Sequence, residues 1–220
     1  MIEKWSFVML KKEKVIKMNI QEVVSRKFID MDEGFEFTFE PIEDTIKIEK
    51  IDDRGYETKY LTRDEDPVSP QEWEDDNLFI VHYHRDFWID KPDVVSKDEI
   101  RDFYQGEKTE IEDDYFVFPI KSYIHSGVHL ELGSGGFPYD YGGWDTSHVG
   151  ACLASKEEFK DEKKAEEACE SLVGEWNKYL MGDVYCVVKE KLNKAKEVID
   201  KEIVCGYYDE KYAKEELENF

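Results

Sequence analysis

The sequence lacks the features by which membrane-spanning and nucleic-acid-binding proteins are recognised. No run approaches the roughly 18 consecutive apolar residues that a membrane helix needs, and the N-terminus has an early Glu3 and no signal-peptide core. Basic residues are outnumbered, since 30 Lys and Arg stand against 53 Asp and Glu, which gives a formal net charge of −23. Because such a charge repels DNA, RNA and anionic lipid, we expect no direct contact with nucleic acid or membrane.

Cysteine is also scarce. The chain has four cysteines, and 16 to 18 residues separate each from the next: Cys152, Cys169, Cys186 and Cys205. This spacing contains none of the close cysteine pairs that zinc fingers use. The sequence therefore predicts a protein without a cofactor, with free and mostly buried thiols, in the reducing cytoplasm of an infected or host cell.

Alternating apolar and polar residues predict several strands, the clearest at Phe35–Glu40 and in a hairpin formed by Thr45–Asp52 and Tyr56–Leu61. Pro119 indicates an edge strand or a bulge. Further strands are predicted at 78–84, 115–124, 125–132, 149–154, 183–189 and 195–208.

Helix signals are fewer. Ser96 followed by Glu99 predicts a short capped helix, and Ser155 and Gly182 bracket one long helix at about 156–181. A charged terminal helix is predicted at 209–219. We therefore predict an α+β fold with a mainly antiparallel central sheet, in which residues 1–44 are an N-terminal extension or added strands and residues 45–220 are the core domain.

Carboxylates occur in clusters, which either form a solvated surface, bind cations, or imitate the phosphates of a nucleic acid. In the third case they would bind the Lys and Arg side chains of a host protein that has a basic nucleic-acid-binding surface. The carboxylates predicted to bind in this way are Asp64, Glu65, Asp66, Glu72, Glu74, Asp75, Asp76, Glu112, Asp113 and Asp114.

Histidines raise two enzymatic alternatives. His82 and His84 would face the same side of a strand, where with Asp145 they could bind a metal ion. His125 or His148 could instead act as a base, with Asp145 orienting it, for a nucleophilic Ser126 or Ser147. Neighbouring residues of a strand point to opposite faces, however, and no GxSxG motif is present.

The segment from Gly133 to Gly143 is rich in glycine and is followed by Trp144. It lacks the lysine and the helix start of a phosphate-binding loop. The aromatic residues Tyr139, Tyr141 and Trp144 predict a contact loop for a protein partner, although Trp144 could instead cover the core.

Six short segments stand out between about residue 45 and the end of the chain: Ser69–Trp73, His84–Arg85, Pro119–Gly127, Trp144–Gly150, Tyr179–Tyr185 and Cys205–Leu217. In this order they resemble an uncharacterised protein family of bacteriophages and other mobile elements. The sequence departs from the family pattern in the glycine-rich segment, at His148 and in its first 40 residues. The resemblance implies a mobile-element setting and no particular reaction.

Charge and setting together predict an accessory protein of the anti-defence type, which binds and blocks a host nucleic-acid-binding protein such as a restriction or CRISPR nuclease. Two alternatives stay open. One is a small metal-dependent hydrolase that uses the histidine and aspartate residues, and the other is a structural or dimerising protein without catalysis.

Overall fold

The computed structural model describes residues 28–29, 36–51 and 54–220. These residues form the following elements: β1 Phe28–Ile29, β2 Glu36–Phe37, β3 Lys47–Ile51, β4 Gly55–Arg63, β5 Leu78–His84, β6 Phe87–Ile89, α1 Lys97–Tyr104, α2 Ile111–Asp114, β7 Tyr115–Ile124, β8 Val128–Leu132, β9 Thr146–Ser155, α3 Glu162–Met181, β10 Tyr185–Leu192, β11 Val198–Tyr207 and α4 Glu210–Asn219. The predicted α+β class, with antiparallel sheets and one long helix, is confirmed.

The chain divides into two compact units. Among the described residues, the first comprises those up to residue 62 together with 187–204 and 220, and the second comprises 63–186 and 205–219. Whether residues 1–44 were added to a family core stays a prediction. Within the described residues, none of the helices is long and apolar enough to cross a membrane.

The first unit is built on a sheet with the strand order β11-β10-β4-β3. Its core contains Tyr60, Val188 and Leu192, with Ile46 and Ile48 packed against them. The predicted hairpin is confirmed by the antiparallel pairing of β3 with β4. The predicted strand at 35–40 lies partly outside the described residues, and β2 covers two residues of it.

The second unit is built on a five-stranded sheet with the order β6-β5-β9-β7-β8. Helix α3 packs on one face of this sheet, and α1 and α2 pack on the other. The central strand β9 contributes the small residues Cys152 and Ala154 to the α3 side, where they meet Ala165 and Cys169 of the helix. Small side chains at these positions allow the helix to approach the sheet closely.

Several local predictions are confirmed. Helix α1 has the predicted capping box, in which Glu99 N donates to Ser96 Oγ and Ser96 N donates to the Glu99 carboxylate. Strand β5 has the predicted bounds. Gly182 ends α3 in the left-handed conformation with φ 70°, which glycine adopts at little cost.

The predicted start of the long helix is wrong by about one and a half turns. The Ser155 hydroxyl caps a separate turn by accepting from Glu157 N. Helix α3 begins after Asp161, whose side chain accepts from Lys164 N. Residue type does not distinguish the two positions, because serine and aspartate are equally good N-cap residues.

The position of Pro119 and the state of two cysteines also differ from expectation. Pro119 lies in β7, which is flanked by β8 and β9 and is therefore not an edge strand, but the register shifts nearby between Ile120 and Ser122. Cys186 and Cys205 form a disulfide, whereas Cys152 and Cys169 are free and buried. The prediction of four free thiols is wrong because β10 and β11 are adjacent strands that bring Cys186 and Cys205 together.

Candidate functional site

The loop of residues 133–145, called here the aromatic loop, joins β8 to β9. It is anchored by Phe137, which is only 3% exposed. The Phe137 ring lies 5.9 Å from the Tyr123 ring and 5.4 Å from the Tyr139 ring, measured between centroids. Lys121 Nζ lies 4.7 Å from the same ring, a distance at which a cation and an aromatic face attract.

Asp140 fixes the second half of the aromatic loop. Its carboxylate accepts hydrogen bonds from Thr146 Oγ1 at 2.7 Å, from Asp145 N at 3.1 Å and from Trp144 N at 3.2 Å. These bonds, that of Thr146 foremost, lower the pKa of Asp140 because they favour the ionised carboxylate. The backbone that presents Trp144 is therefore held by a charged turn.

The aromatic loop exposes large apolar side chains. Tyr141 is 99% exposed, Trp144 is 90% exposed and Tyr139 is 54% exposed. The alternative position of Trp144, over the core, is therefore excluded. Tryptophan and tyrosine are the residues that most often dominate the binding energy of protein interfaces, so a loop that holds them in water on a fixed backbone is suited to binding a partner.

The proposed hydrolytic residues are only partly brought together. His125 Nδ1 lies 3.5 Å from an oxygen of Asp145, which is the last residue of the aromatic loop, and His125 lies in the turn between β7 and β8. His148 lies in β9, where its Nδ1 is buried and has no hydrogen-bond partner among the described residues. The hydroxyl that the structure places on a histidine belongs to neither Ser126 nor Ser147 but to Ser122.

His82 and Ser122 form a buried pair. His82 Nδ1 lies 2.9 Å from Phe87 O, which can only accept, so this nitrogen carries the proton. Nε2 lies 3.0 Å from Ser122 Oγ and accepts a hydrogen bond from this hydroxyl. Burial lowers the pKa of His82 to about 4 and keeps the ring neutral.

The pair resembles the serine and histidine of a hydrolase in its hydrogen bonds, but both residues are fully buried. Such a pair cannot receive a substrate in this conformation. It serves as a polar link in the core, because the imidazole lies across Gly150 of β9 to reach β7.

The proposed metal ligands His82, His84 and Asp145 do not converge. Both ring nitrogens of His82 form hydrogen bonds within the protein, with Phe87 O and with Ser122 Oγ. His84 Nδ1 accepts from Asp86 N at 3.2 Å. Among the described residues, the one group of three potential donors is Asp64, Cys186 and Cys205.

Four of the predicted binding carboxylates meet at one end of the five-stranded sheet. Tyr115 Oη donates to Asp76 O at 3.0 Å, and Lys156 N donates to Asp114 O at 2.8 Å. The segment of Asp75 and Asp76 thereby lies near that of Asp113 and Asp114. We call these four exposed carboxylates the acidic end.

The other predicted carboxylates divide into two groups. Glu65, Asp66 and Glu72 are exposed. Three are only partly accessible and are used within the protein: Asp64 accepts from Asp66 N, Glu74 accepts from Trp176 Nε1, and Glu112 accepts from Thr109 N. A surface role for these three stays a prediction, and each has a carboxylate oxygen that already accepts a hydrogen bond within the protein.

The acidic end and the aromatic loop lie at opposite ends of β9. The loop leads into Thr146, and Ser155 pairs with Tyr115 beside the acidic end. A strand of ten residues spans about 30 Å at roughly 3.3 Å per residue. A small partner that contacts the aromatic loop would therefore not touch the acidic end.

Comparisons with protein-family models, with curated proteins and with solved structures found no match. The geometry of the site therefore carries the functional argument.

Sequence reasoning found the exposed aromatic residues of the loop but missed Phe137 and Asp140, which hold them. The signal was present in part, since an aspartate four residues before Trp144 is typical of a turn that binds its own backbone. Ser122 and Gly150 gave no local signal, because their roles depend on a neighbour from another strand.

Proposed function

We propose that this protein binds and blocks a host protein that has a basic, nucleic-acid-binding surface, in the cytoplasm of the host cell. The supporting observation is the aromatic loop, in which Tyr141 and Trp144 are almost fully exposed on a backbone held by Phe137 and Asp140. The anti-defence setting rests on the resemblance to the mobile-element family.

The charge of the chain supports a basic partner. A net charge of −23 attracts a basic protein over a distance of about one Debye length, roughly 8–10 Å at physiological salt. A second copy of this chain carries the same charge and is repelled. The charge therefore favours binding of a basic partner to the aromatic loop over self-association.

The two features have separable roles. The aromatic side chains are buried only when the complex has formed, so they slow dissociation. The carboxylates act before contact, so they speed association in a salt-dependent manner. Because the acidic end lies about 30 Å from the loop along β9, we assign it to attraction and the loop to contact.

The test begins with capture of binding proteins from host lysate by three forms of the protein. These are the wild type, a double variant with Tyr141→Ser and Trp144→Ser, called here the loop variant, and the control Trp88→Ser. Trp88 is 51% exposed on β6 and makes an edge-to-face contact with Tyr83; β6 and β8, where the loop begins, are the opposite edge strands of the sheet. We expect the wild type and Trp88→Ser to retain the same nucleic-acid-binding protein, which added DNA or RNA releases. The loop variant should lose it.

Kinetics with the captured protein then separate the two roles. The loop variant should dissociate about tenfold faster or more. Replacing Asp75, Asp76, Asp113 and Asp114 by Asn should slow association and reduce its dependence on salt. Retention by the loop variant would contradict the proposal, and so would a wild-type dimer that the loop variant converts to a monomer.

A further inference from the structure

The disulfide of the second unit has a carboxylate beside it. Cys186 lies in β10 and Cys205 in β11, and Asp64 directly follows β4. One carboxylate oxygen of Asp64 and the two sulfur atoms all lie within 4.8 Å of one another. Two sulfurs and an oxygen at such distances match the donors that Zn²⁺ prefers, although sulfurs bonded to each other are not ligands.

Asp64 is held in this position by the backbone around it. Its own N–H donates to Val184 O at 2.8 Å. Its carboxylate accepts from Asp66 N at 3.1 Å and from the N–H of Gly206, the residue after Cys205. Outer hydrogen bonds of this kind orient a carboxylate toward a metal ion.

The disulfide is open to reduction from one side. Cys205 is exposed to solvent, whereas Cys186 is buried. A dithiol reductant of the cytoplasm can therefore attack the Cys205 sulfur through a mixed disulfide. The reductant ends as its own disulfide, and the two electrons and two protons that it gives up leave Cys186 and Cys205 as thiols.

We propose that the reduced pair and Asp64 bind one thiophilic divalent cation of the Zn²⁺ class. Each thiol releases its proton to water when its sulfur binds the cation, and Asp64 supplies the third ligand. Three protein ligands leave the fourth tetrahedral position to a water molecule. The same three residues thus connect β10 and β11 by a covalent bond in an oxidising medium and by a metal ion in a reducing one.

Cobalt provides the test, because Co²⁺ bound to thiolate absorbs in the near ultraviolet whereas Co²⁺ bound to carboxylate alone does not. This distinction is needed in a chain with 53 acidic residues. We expect the full-length protein, reduced with a phosphine, to develop the sulfur–cobalt band up to one equivalent of Co²⁺ and to lose it when Zn²⁺ is added. The oxidised protein should give no band.

Variants identify the ligands. Cys205→Ser should abolish the band, and Asp64→Asn should weaken binding of Co²⁺ by about tenfold or more. Two controls should bind as the wild type does: Cys169→Ala, which removes a buried free thiol, and Asp66→Asn, which removes a neighbouring charge.

Three results would overturn the proposal: no band in the reduced wild type, a band that survives Cys205→Ser but disappears in Cys169→Ala, or undiminished affinity in Asp64→Asn. The comparison of oxidised and reduced wild type needs no substitution. It therefore stands even if a variant fails to fold.

Discussion

In the sheet of the second unit, a single glycine allows a hydrogen bond between side chains of two strands that are not neighbours. The His82 ring can reach Ser122 only because β9, the strand between them, has Gly150 at the crossing point. A Cβ atom at position 150 would lie 2.6 Å from His82 Cδ2 and 2.8 Å from Val81 O. Both distances are shorter than real contacts, so this glycine is required for space.

Gly150→Ala should therefore destabilise the protein, by about 1–3 kcal/mol in the free energy of unfolding, because the imidazole must shift and its buried Nε2 loses the hydrogen bond from Ser122. Gly174→Ala is the matched control, since a Cβ there meets nothing within 4 Å. In a helix that change should be neutral or stabilising by up to about 1 kcal/mol. Urea unfolding of both variants measures the difference, and equal stabilities would contradict this role of Gly150.

Glu74 gives a pH dependence at the residue scale. Burial raises its pKa from 4.5 to about 7, although the bond from Trp176 opposes the shift. Between these two values the folded protein holds a proton that the unfolded chain releases, so this group's contribution to stability is lost as the pH rises toward and through 7. His82 acts in the opposite direction, because its lowered pKa costs stability as the pH falls from 6.5 toward 4.

The two effects overlap in pH, so Glu74 must be isolated by substitution. Glu74→Gln keeps an oxygen that can accept from Trp176 and removes the titration. From pH 5 to pH 8, the wild type should lose more free energy of unfolding than Glu74→Gln does. Parallel curves from urea unfolding at the two pH values would show that Glu74 titrates normally.

At the scale of the element, α3 shows how a helix start is chosen. Ser155 and Asp161 are both good capping residues, six positions apart. The chain uses Ser155 for a turn and Asp161 for the helix. The 20 residues that follow place Ala165, Cys169, Leu172 and Trp176 on one face at helical spacing, against the sheet.

Asp161→Ala should lower the free energy of unfolding by about 1 kcal/mol, because Lys164 N loses its acceptor. Glu158→Ala removes the same charge from an exposed position in the preceding turn and should change stability by much less. Thermal or urea unfolding of the two variants compares them. A larger loss in Glu158→Ala would place the start of the helix elsewhere.

At the scale of the whole molecule, charge is the dominant property. With a net charge of −23 the folded chain repels itself, and this repulsion weakens as salt shortens the Debye length. The free energy gained by burying apolar side chains in both units must therefore also offset this electrostatic repulsion.

Raising NaCl from about 20 mM to about 500 mM should raise the Tm, because screening relieves the repulsion. KCl should give the same increase if the effect is screening and not binding of a particular ion. A Tm that falls with both salts would mean that the ion pairs of the surface contribute more than the repulsion does.

The sequence by itself determined the local features. Alternation of apolar residues predicted β3 and β4, and a mostly apolar run predicted β5. The Ser96–Glu99 pair predicted the start of α1, and Gly182 predicted the end of α3. Composition alone also determined the charge. These features can be predicted from the sequence because each depends on residues within a few positions of one another.

Tertiary structure decided everything that joins distant segments. It paired His82 with Ser122 across Gly150, gathered Asp75 and Asp113 at one end of a sheet, and turned Glu74 inward to Trp176. The disulfide is an intermediate case, since Cys186 and Cys205 are nearly equidistant from the turn between β10 and β11. Their equal distance from the turn in the sequence could have suggested that the two cysteines face each other. Which strands are neighbours, however, is set by how sheets and helices pack, and that depends on the whole chain.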